Sequence, residues 1–160
     1  MKTSQYWIDH LKLERHVEGG YFRQVLKSDS HHGDRALYTS IYFLLEHGNP
    51  SHLHQLTADE VWYYHAGHSL TVHTISESGE YEAIKLGTDL ENGEVLQALV
   101  PKGTIFGSSV ENVGEYALVS CMVAPGFEFD DFKLFTQDEL MEKFPQHEEV
   151  IRKYALKEIE

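Results

Sequence analysis

The feature that most constrains the fold is a series of short β-type segments separated by turn residues. Each segment either alternates apolar and polar side chains or is rich in β-branched and aromatic residues, and Gly, Asn, Asp and Pro occupy the breaks. The predicted strands are residues 21–26, 37–45, 52–56, 61–65, 70–75, 81–86, 95–100, 104–109 and 116–123. Because no helical pattern intervenes, the series predicts an antiparallel sandwich or closed barrel rather than a βαβ fold.

Helical patterns are predicted near the two ends of the chain. Residues 4–14 carry an amphipathic stripe that Thr3 or Ser4 can cap, and residues 136–139 have the form of a capping box. The second helix is expected to end at Pro145, and a third follows around Val150, Ile151 and Tyr154. We expect these helices to pack outside the barrel or to cover a sheet edge.

Length and charge limit the partners. The 160 residues predict one domain, and the net charge of −13 repels phosphate backbones and anionic lipids, so neither nucleic acid nor a membrane is an expected partner. Cys121, the one cysteine, lies in an apolar run and is interpreted as a buried, inert thiol. The N-terminus has no apolar signal core and no segment is long enough to span a bilayer, which predicts a cytoplasmic protein.

The chemically informative stretch is residues 48–67. On the strand before the turn at residues 57–59, one face carries His52, His54 and Leu56. On the strand after the turn, one face carries Glu60, Trp62 and Tyr64. If these strands form a hairpin in natural register, His54 and Glu60 point into one cavity. An imidazole beside a carboxylate is either a pair of metal ligands or a base with its orienting partner.

Other side chains are candidates for the same cavity. Arg23 could hold a carboxylate or phosphate with Tyr21 as a donor, or it could pair with a surface acid. The hydroxyl of Tyr42 needs a partner if it is buried, and Gln97 is a polar residue in an apolar strand. The apolar lining candidates, each of which could equally belong to the core, are Trp62, Tyr64, Phe106 and Met122.

Several of these residues resemble the two cupin motifs. Gly48, His54, Glu60 and Gly67 fall at the spacing of the first motif, with Leu56 where its second histidine belongs. Pro101-Lys102-Gly103 resembles the turn of the second motif, with Phe106 at its histidine position. Further phrases are similar to the cupin-5 family: Glu18-Gly19-Gly20-Tyr21-Phe22-Arg23, Ile41-Tyr42-Phe43-Leu44-Leu45, Asp59-Glu60-Val61-Trp62, Val100-Pro101-Lys102-Gly103 and Val123-Ala124-Pro125-Gly126-Phe127.

The resemblance implies a double-stranded β-helix, the cupin jelly roll, as a single domain over residues 1–160, with the core at about 16–130 and terminal helices outside. It also implies a homodimer and a relationship to sugar-nucleotide epimerases. No cofactor is expected, because Leu56 and Phe106 replace two of the usual metal-binding histidines and two ligands rarely hold a transition metal.

Three functions remain open from the sequence. The leading hypothesis is metal-independent, epimerase- or isomerase-like chemistry on a sugar or other small polar metabolite, with His54 as the base, Glu60 as its orienting partner or the acid, and Tyr21 or Tyr42 as a proton donor. The second is a module that binds or senses a small molecule without changing it. The third is a metal-dependent cupin that uses His52, His54 and Glu60.

Overall fold

The computed structural model describes residues 1–159, and within them it has thirteen strands and three α-helices. The strands are β1 (Glu14–Arg15), β2 (Tyr21–Lys27), β3 (His31–His32), β4 (Arg35–Ala36), β5 (Thr39–Glu46), β6 (Ser51–Leu56), β7 (Asp59–Gly67), β8 (Leu70–Ile75), β9 (Tyr81–Leu86), β10 (Gln97–Val100), β11 (Ile105–Ser109), β12 (Tyr116–Ala124) and β13 (Phe132–Leu134). The helices are α1 (Ser4–Leu11), α2 (Gln137–Lys143) and α3 (Glu148–Tyr154).

Two antiparallel sheets form the jelly roll and confirm the predicted mostly β fold. The six-stranded sheet has the order β1-β2-β5-β12-β7-β10, and the five-stranded sheet has the order β13-β6-β11-β8-β9. Strands β8 and β9 coincide with their predicted bounds. The strands that the sequence pattern did not predict are β1, β3, β4 and β13, which have two or three residues each and are too short to show a period.

The main core lies between the two sheets because alternate residues of every long strand point inward. Phe43, Leu45, Trp62, Val72 and Phe106 are all at most 2% exposed and belong to this cluster. Each such side chain contributes about 1.5–3 kcal/mol by leaving water, which makes the inner faces the main source of stability. Inward-facing polar groups are therefore exceptions that mark a site.

Strands β6 and β7 do not form the expected hairpin. Strand β6 pairs with β11 and β13 in one sheet, whereas β7 pairs with β12 and β10 in the other. Residues 57–58 therefore carry the chain across the sandwich instead of back along the same sheet. His54 and Glu60 still face one cavity, but from opposite walls.

Helix α1 packs on the outer face of the six-stranded sheet. The Thr3 hydroxyl accepts from the Tyr6 backbone N–H at its start, as expected of a cap. The helix ends at Leu11, earlier than predicted, because Lys12 adopts a left-handed conformation with φ 55°. The residues after it instead form β1, which pairs with β2.

Helices α2 and α3 cover the outer face of the five-stranded sheet. The predicted capping box at Thr136 and Glu139 is present, with both reciprocal hydrogen bonds. Leu140 and Ile151 are fully buried against Leu53, Ile75 and Ile105. The C-terminal helices thus add a third layer outside the jelly roll. Within residues 1–159, no helix has the length and apolar character needed to cross a bilayer.

Candidate active site

A cavity of about 100 Å³ opens into the jelly roll between the two sheets. Its polar side chains include those of His16, Glu18, His54, Glu60 and Cys121. The remaining lining is formed by Phe22, Gln24, Thr39, Ile41, Leu56, Val123, Phe127, Phe129 and Phe132. The cavity thus combines a few convergent polar groups with a mostly apolar wall, which is the usual composition of a small-ligand site.

Glu18 and His54 form a buried ion pair at the base of this cavity. His54 Nε2 lies 2.8 Å from Glu18 Oε2, and His54 Nδ1 lies 2.7 Å from the His52 carbonyl oxygen. A carbonyl only accepts, so Nδ1 donates to it. Burial opposes charge on both groups, but their mutual attraction prevails: the pKa of His54 is raised and the pKa of Glu18 is lowered. His54 is therefore an imidazolium with both ring N–H groups donating.

The surroundings of Glu18 hold its carboxylate in place. Ser51 Oγ donates to Glu18 Oε2 over 2.9 Å, and the backbone N–H of Glu18 donates to His16 Nδ1 over 3.1 Å. Burial lowers the pKa of His16, so this ring is neutral and its Nδ1 is an acceptor. The 3.5 Å separation of His16 Nδ1 and Glu18 Oε1 is consequently a contact and not an ion pair.

Glu60 faces this pair as a protonated carboxylic acid. Burial, reinforced by the Glu18 charge and only partly opposed by His54, raises the pKa of Glu60 to about 8. Among the described residues, Glu60 Oε2 is a buried atom without a hydrogen-bond partner. An unpaired buried polar atom is costly, and here it belongs to a side chain that lines a cavity. The arrangement leaves Glu60 free to donate a hydrogen bond or a proton to a ligand.

Cys121 lies beside Glu60 but offers no nucleophile. Burial and the neighbouring carboxyl groups raise the pKa of its thiol well above the usual range, so the thiolate is not formed near neutral pH. The sequence-based interpretation of Cys121 as a buried thiol is confirmed.

Aromatic rings line the other side of the cavity. Phe127, Phe129 and Phe132 pack edge to face, with ring centroids 5.0–6.1 Å apart. Phe129 is 59% exposed although it lines the cavity, so it lies at the entrance. A ligand would meet an apolar mouth before it reached the polar base.

The structure places four of the predicted site residues on the outer face of the six-stranded sheet. Phe22, Gln24, Ile41, Cys121 and Val123 line the cavity, and strand alternation turns their neighbours away from it. The outward-facing residues are Tyr21, Arg23, Tyr42 and Met122. Tyr21 and Tyr42 pack with α1 instead, and exposed Arg23 Nη1 lies 3.4 Å from the Leu11 carbonyl oxygen. The expectation that these residues line the site is corrected accordingly.

Four further candidates also lie outside the cavity lining. Trp62 and Phe106 are 2% exposed core residues, and the Phe106 ring supports the His54 ring from 4.2 Å. The Tyr64 hydroxyl donates to the Gly67 carbonyl, and Gln97 is exposed on the edge strand β10. Of the ten predicted catalytic and ligand-binding residues, His54 and Glu60 are the two that the structure brings together.

The residues present do not fit a metal ion. His52 does not line the cavity, because a bulge in β6 interrupts its alternation with His54 and its Nδ1 donates to the Glu18 carbonyl. Both nitrogens of His54 are already engaged. Within residues 1–159, no group of three or more His, Cys, Asp or Glu side chains is arranged to hold a metal. The predicted ligand set of His52, His54 and Glu60 does not assemble.

Sequence reasoning missed Glu18, the partner of His54. The signal is the phrase Glu18-Gly19-Gly20, which the sequence supports as part of a family resemblance and not as a site. Gly19 has φ 109°, and a Cβ there would collide with the Pro50 carbonyl oxygen, so only glycine allows this close approach. The tight turn brings the Glu18 side chain to Ser51 and His54.

Comparison with known proteins identifies close relatives. Residues 5–135 match the family described as the cupin superfamily (DUF985). A crystal structure of protein SO0799 from Shewanella oneidensis is 50% identical and covers 99% of this chain and 100% of that one, with a TM-score of 0.95. A hypothetical protein from Leishmania major is 42% identical, covers 97% and 99%, and has a TM-score of 0.93. The uncharacterised yeast protein YML079W is 29% identical over 85% of this chain and 77% of its own length.

Proposed function

We propose that this protein, which belongs to the cupin superfamily (DUF985), catalyses metal-independent, isomerase-like proton transfer on a small neutral carbonyl compound. Family membership accounts for the jelly roll, but function must be argued from the site because one fold hosts many activities. The proposal therefore rests on the geometry around Glu60, Glu18 and His54.

The neutral carboxyl of Glu60 is the observation that carries the proposal. Its raised pKa keeps the proton on the side chain near neutral pH, and its Oε2 has no partner among the described residues. A general acid needs both a pKa close to the working pH and a free path to the substrate. A substrate carbonyl oxygen that enters the cavity would accept this proton.

Glu18 supplies the complementary base. Its carboxylate would take a proton from the carbon next to the substrate carbonyl while Glu60 protonates the carbonyl oxygen, which yields an enol. In the reverse step Glu18 returns a proton to carbon and Glu60 takes back the hydroxyl proton, which regenerates the carbonyl, the Glu18 carboxylate and the Glu60 carboxylic acid. His54 would act as a positioning residue that holds the Glu18 carboxylate from 2.8 Å. Because both of its nitrogens donate, His54 is not the free base that the sequence suggested.

Cavity size and charge support a proposal for the substrate class. The cavity has a volume of about 100 Å³. Ligand pockets commonly have about 300–1,000 Å³, so a sugar nucleotide is a poor fit. The charges of Glu18 and His54 cancel and Glu60 is neutral, which favours an uncharged molecule over an anion. We therefore place the substrate among small hydroxycarbonyl compounds.

The experiment measures deuterium incorporation. Hydroxyacetone, dihydroxyacetone and glyceraldehyde are incubated with the protein in D2O, and loss of the proton next to the carbonyl is followed by ¹H NMR. We expect Glu60→Gln to slow the exchange by about 10²–10⁴-fold, the usual contribution of a general acid, while binding persists. Tyr42→Phe, a change on the outer face, is the control and should leave the rate unchanged.

A chelator provides the second control. If the metal-independent proposal is correct, exchange proceeds at the same rate after extensive dialysis against EDTA. Loss of exchange on dialysis, with recovery on addition of a divalent metal, would refute it. Absence of exchange with all three compounds would equally refute the proposed activity.

The alternative function is a non-catalytic binding module. The same unpartnered Glu60 carboxyl and aromatic mouth would retain a small neutral ligand without changing it. The outcome that favours this alternative is saturable binding of the carbonyl compounds with no deuterium incorporation. We also propose that the protein is a cytoplasmic homodimer, in keeping with the general prevalence of twofold symmetry.

A further inference from the structure

A second concave site lies outside the jelly roll, between the five-stranded sheet and α3. This outer groove has a volume of about 390 Å³. Its lining includes His73, Tyr81, Glu111, Glu149, Lys153 and Tyr154. It shares no lining residue with the cavity around Glu60. Val72 of β8 packs into the main core, so its neighbour His73 points to the opposite face of the sheet.

A directed chain of hydrogen bonds underlies the outer groove. Ser109 Oγ donates to Glu111 Oε1 over 2.6 Å, and His73 Nε2 lies 2.8 Å from Ser109 Oγ. With the Ser109 proton committed to Glu111, His73 Nε2 must donate, and His73 Nδ1 must accept from the Tyr81 hydroxyl over 2.7 Å. Burial lowers the pKa of His73 to about 4, which keeps the ring in this neutral form.

Apolar packing also attaches α3 to the sheet beside the polar chain. Ile151 is fully buried in an apolar cluster with Leu53 and Ile75, and this cluster already holds the helix against the sheet. The chain instead ends at two groups that reach the surface, since Tyr81 is 40% exposed and the Glu111 side chain 55% exposed. Buried polar groups that lead to exposed ends in a groove are arranged as a ligand site would be.

Aromatic faces and carboxylates together define the ligand. Tyr154 stacks on His73 with ring centroids 4.2 Å apart, and Tyr81 lies nearly parallel to the same ring. The Ser109 and Tyr154 hydroxyls both donate to Glu111 Oε1, which leaves Oε2 for a ligand. Glu111 and Glu149 outnumber Lys153, whose Nζ lies 3.8 Å from Glu149 Oε1. Carboxylates beside aromatic rings bind ammonium groups through charge and cation–π attraction.

We propose that the outer groove is a second ligand site, specific for a small molecule that carries a primary amine on an apolar or aromatic body. The amine binds Glu111 Oε2 and the body packs against Tyr81 and Tyr154. The strongly acidic chain, with its net charge of −13, further favours a cation. This inference does not depend on the activity proposed for the inner cavity.

The test titrates the protein with phenethylamine and, separately, with 3-phenylpropionate, its anionic counterpart, and follows binding by calorimetry. We expect the amine to bind and the acid not to bind. Glu111→Gln should weaken the amine by about tenfold or more, because it removes the charge but keeps an oxygen that accepts from Ser109. Lys153→Met should tighten the amine, because it removes a competing ammonium group.

A variant of the inner cavity supplies the matched control. Glu60→Gln should leave the affinity for phenethylamine unchanged, while circular dichroism confirms that each variant is folded. The inference is overturned if the acid binds as well as the amine, if Glu111→Gln binds the amine like the parent, or if no amine binding is measurable. Loss of amine binding in Glu60→Gln would also overturn it, because it would place the amine in the inner cavity.

Discussion

Two carboxylic acids in one small cavity are held in opposite protonation states by their neighbours. Glu18 stays ionised because His54 and Ser51 both donate to it. Glu60 Oε2 has no hydrogen-bond partner among the described residues. Glu60 keeps its proton because it is buried and because the Glu18 charge opposes a second anion nearby. When the surroundings of two carboxyl groups push their pKa values apart, the group with the higher pKa is the candidate acid and the other is the candidate base.

The protonated state of Glu60 has a consequence for stability. Its pKa is about 8 in the folded protein and about 4.3 when unfolded, so between these values the folded state holds an extra proton. The free energy of unfolding therefore falls as the pH rises from about 4 to 8. The full shift corresponds to roughly 4–5 kcal/mol for this one group.

Urea unfolding of the parent and Glu60→Gln between pH 5 and 9 measures this effect. We expect the free energy of unfolding of Glu60→Gln to depend less on pH than that of the parent. At pH 9 the variant should be more stable than the parent. His54, whose pKa is also raised, adds a loss of stability above about pH 6.5 in both proteins. Because the Glu60 charge contributes to the raised pKa of His54, the difference between the two profiles includes the coupling of Glu60 to His54. Parallel pH profiles for the two proteins would show that Glu60 is ionised in the folded state.

At the scale of elements, the turn between β1 and β2 delivers Glu18 to the cavity. His16 and Gly20 close this turn through a backbone hydrogen bond of 2.9 Å, and the His52 N–H donates to the Glu18 carbonyl over 2.6 Å. The turn is thereby locked onto β6, so the geometry of the Glu18–His54 pair depends on a backbone contact rather than on the two side chains alone.

Gly19→Ala tests this dependence. The new Cβ would collide with the Pro50 carbonyl at a φ of 109°, and we expect a loss of about 3 kcal/mol or more in the free energy of unfolding. Gly33→Ala is the matched control: its φ is also positive, at 63°, but a Cβ there meets no atom within 4 Å among the described residues. The control should lose only about 1–2 kcal/mol. Equal losses of free energy of unfolding in the two variants would show that the Pro50 carbonyl can move aside at little cost.

At the scale of the whole molecule, the five-stranded sheet separates two sites. Its inner face contributes His54 and Leu56 to the cavity, and its outer face contributes His73 to the outer groove. The outer groove also requires α3, which is held by an apolar cluster distinct from the main core. Damage to that cluster should therefore affect one site and spare the other.

Ile151→Ala makes this separation measurable. Truncation of this fully buried side chain should cost about 2–5 kcal/mol and loosen α3. We expect weaker phenethylamine binding at the outer groove, with deuterium exchange at the inner cavity unchanged at temperatures where the variant is folded. A parallel decline of both activities would indicate that the two faces of the sheet are coupled.

The sequence was sufficient to predict the longer strands, the terminal helices and the capping box at Thr136. His54 and Glu60 do face one cavity, but through opposite sheets and not through the hairpin that the sequence suggested. These features follow from local rules: turn residues end strands, alternation sets faces, and helix caps depend on neighbouring residues. Tertiary structure alone decided that β6 and β7 belong to opposite sheets and that Tyr21, Arg23, Tyr42 and Met122 face outward. Alternation shows which residues share a face but not which face is buried in the core.

The contacts of Glu18 and His73 were also beyond sequence-based prediction. Glu18 lies 36 positions before His54. Tyr81 lies eight positions after His73, on the neighbouring strand β9, but the Ser109, Glu111 and Tyr154 partners of His73 come from distant parts of the chain. No local pattern encodes such contacts, because they depend on how the sheets and the C-terminal helices are stacked. The protonation states of Glu60 and His73 follow from that stacking, since burial and distant charges set their pKa values.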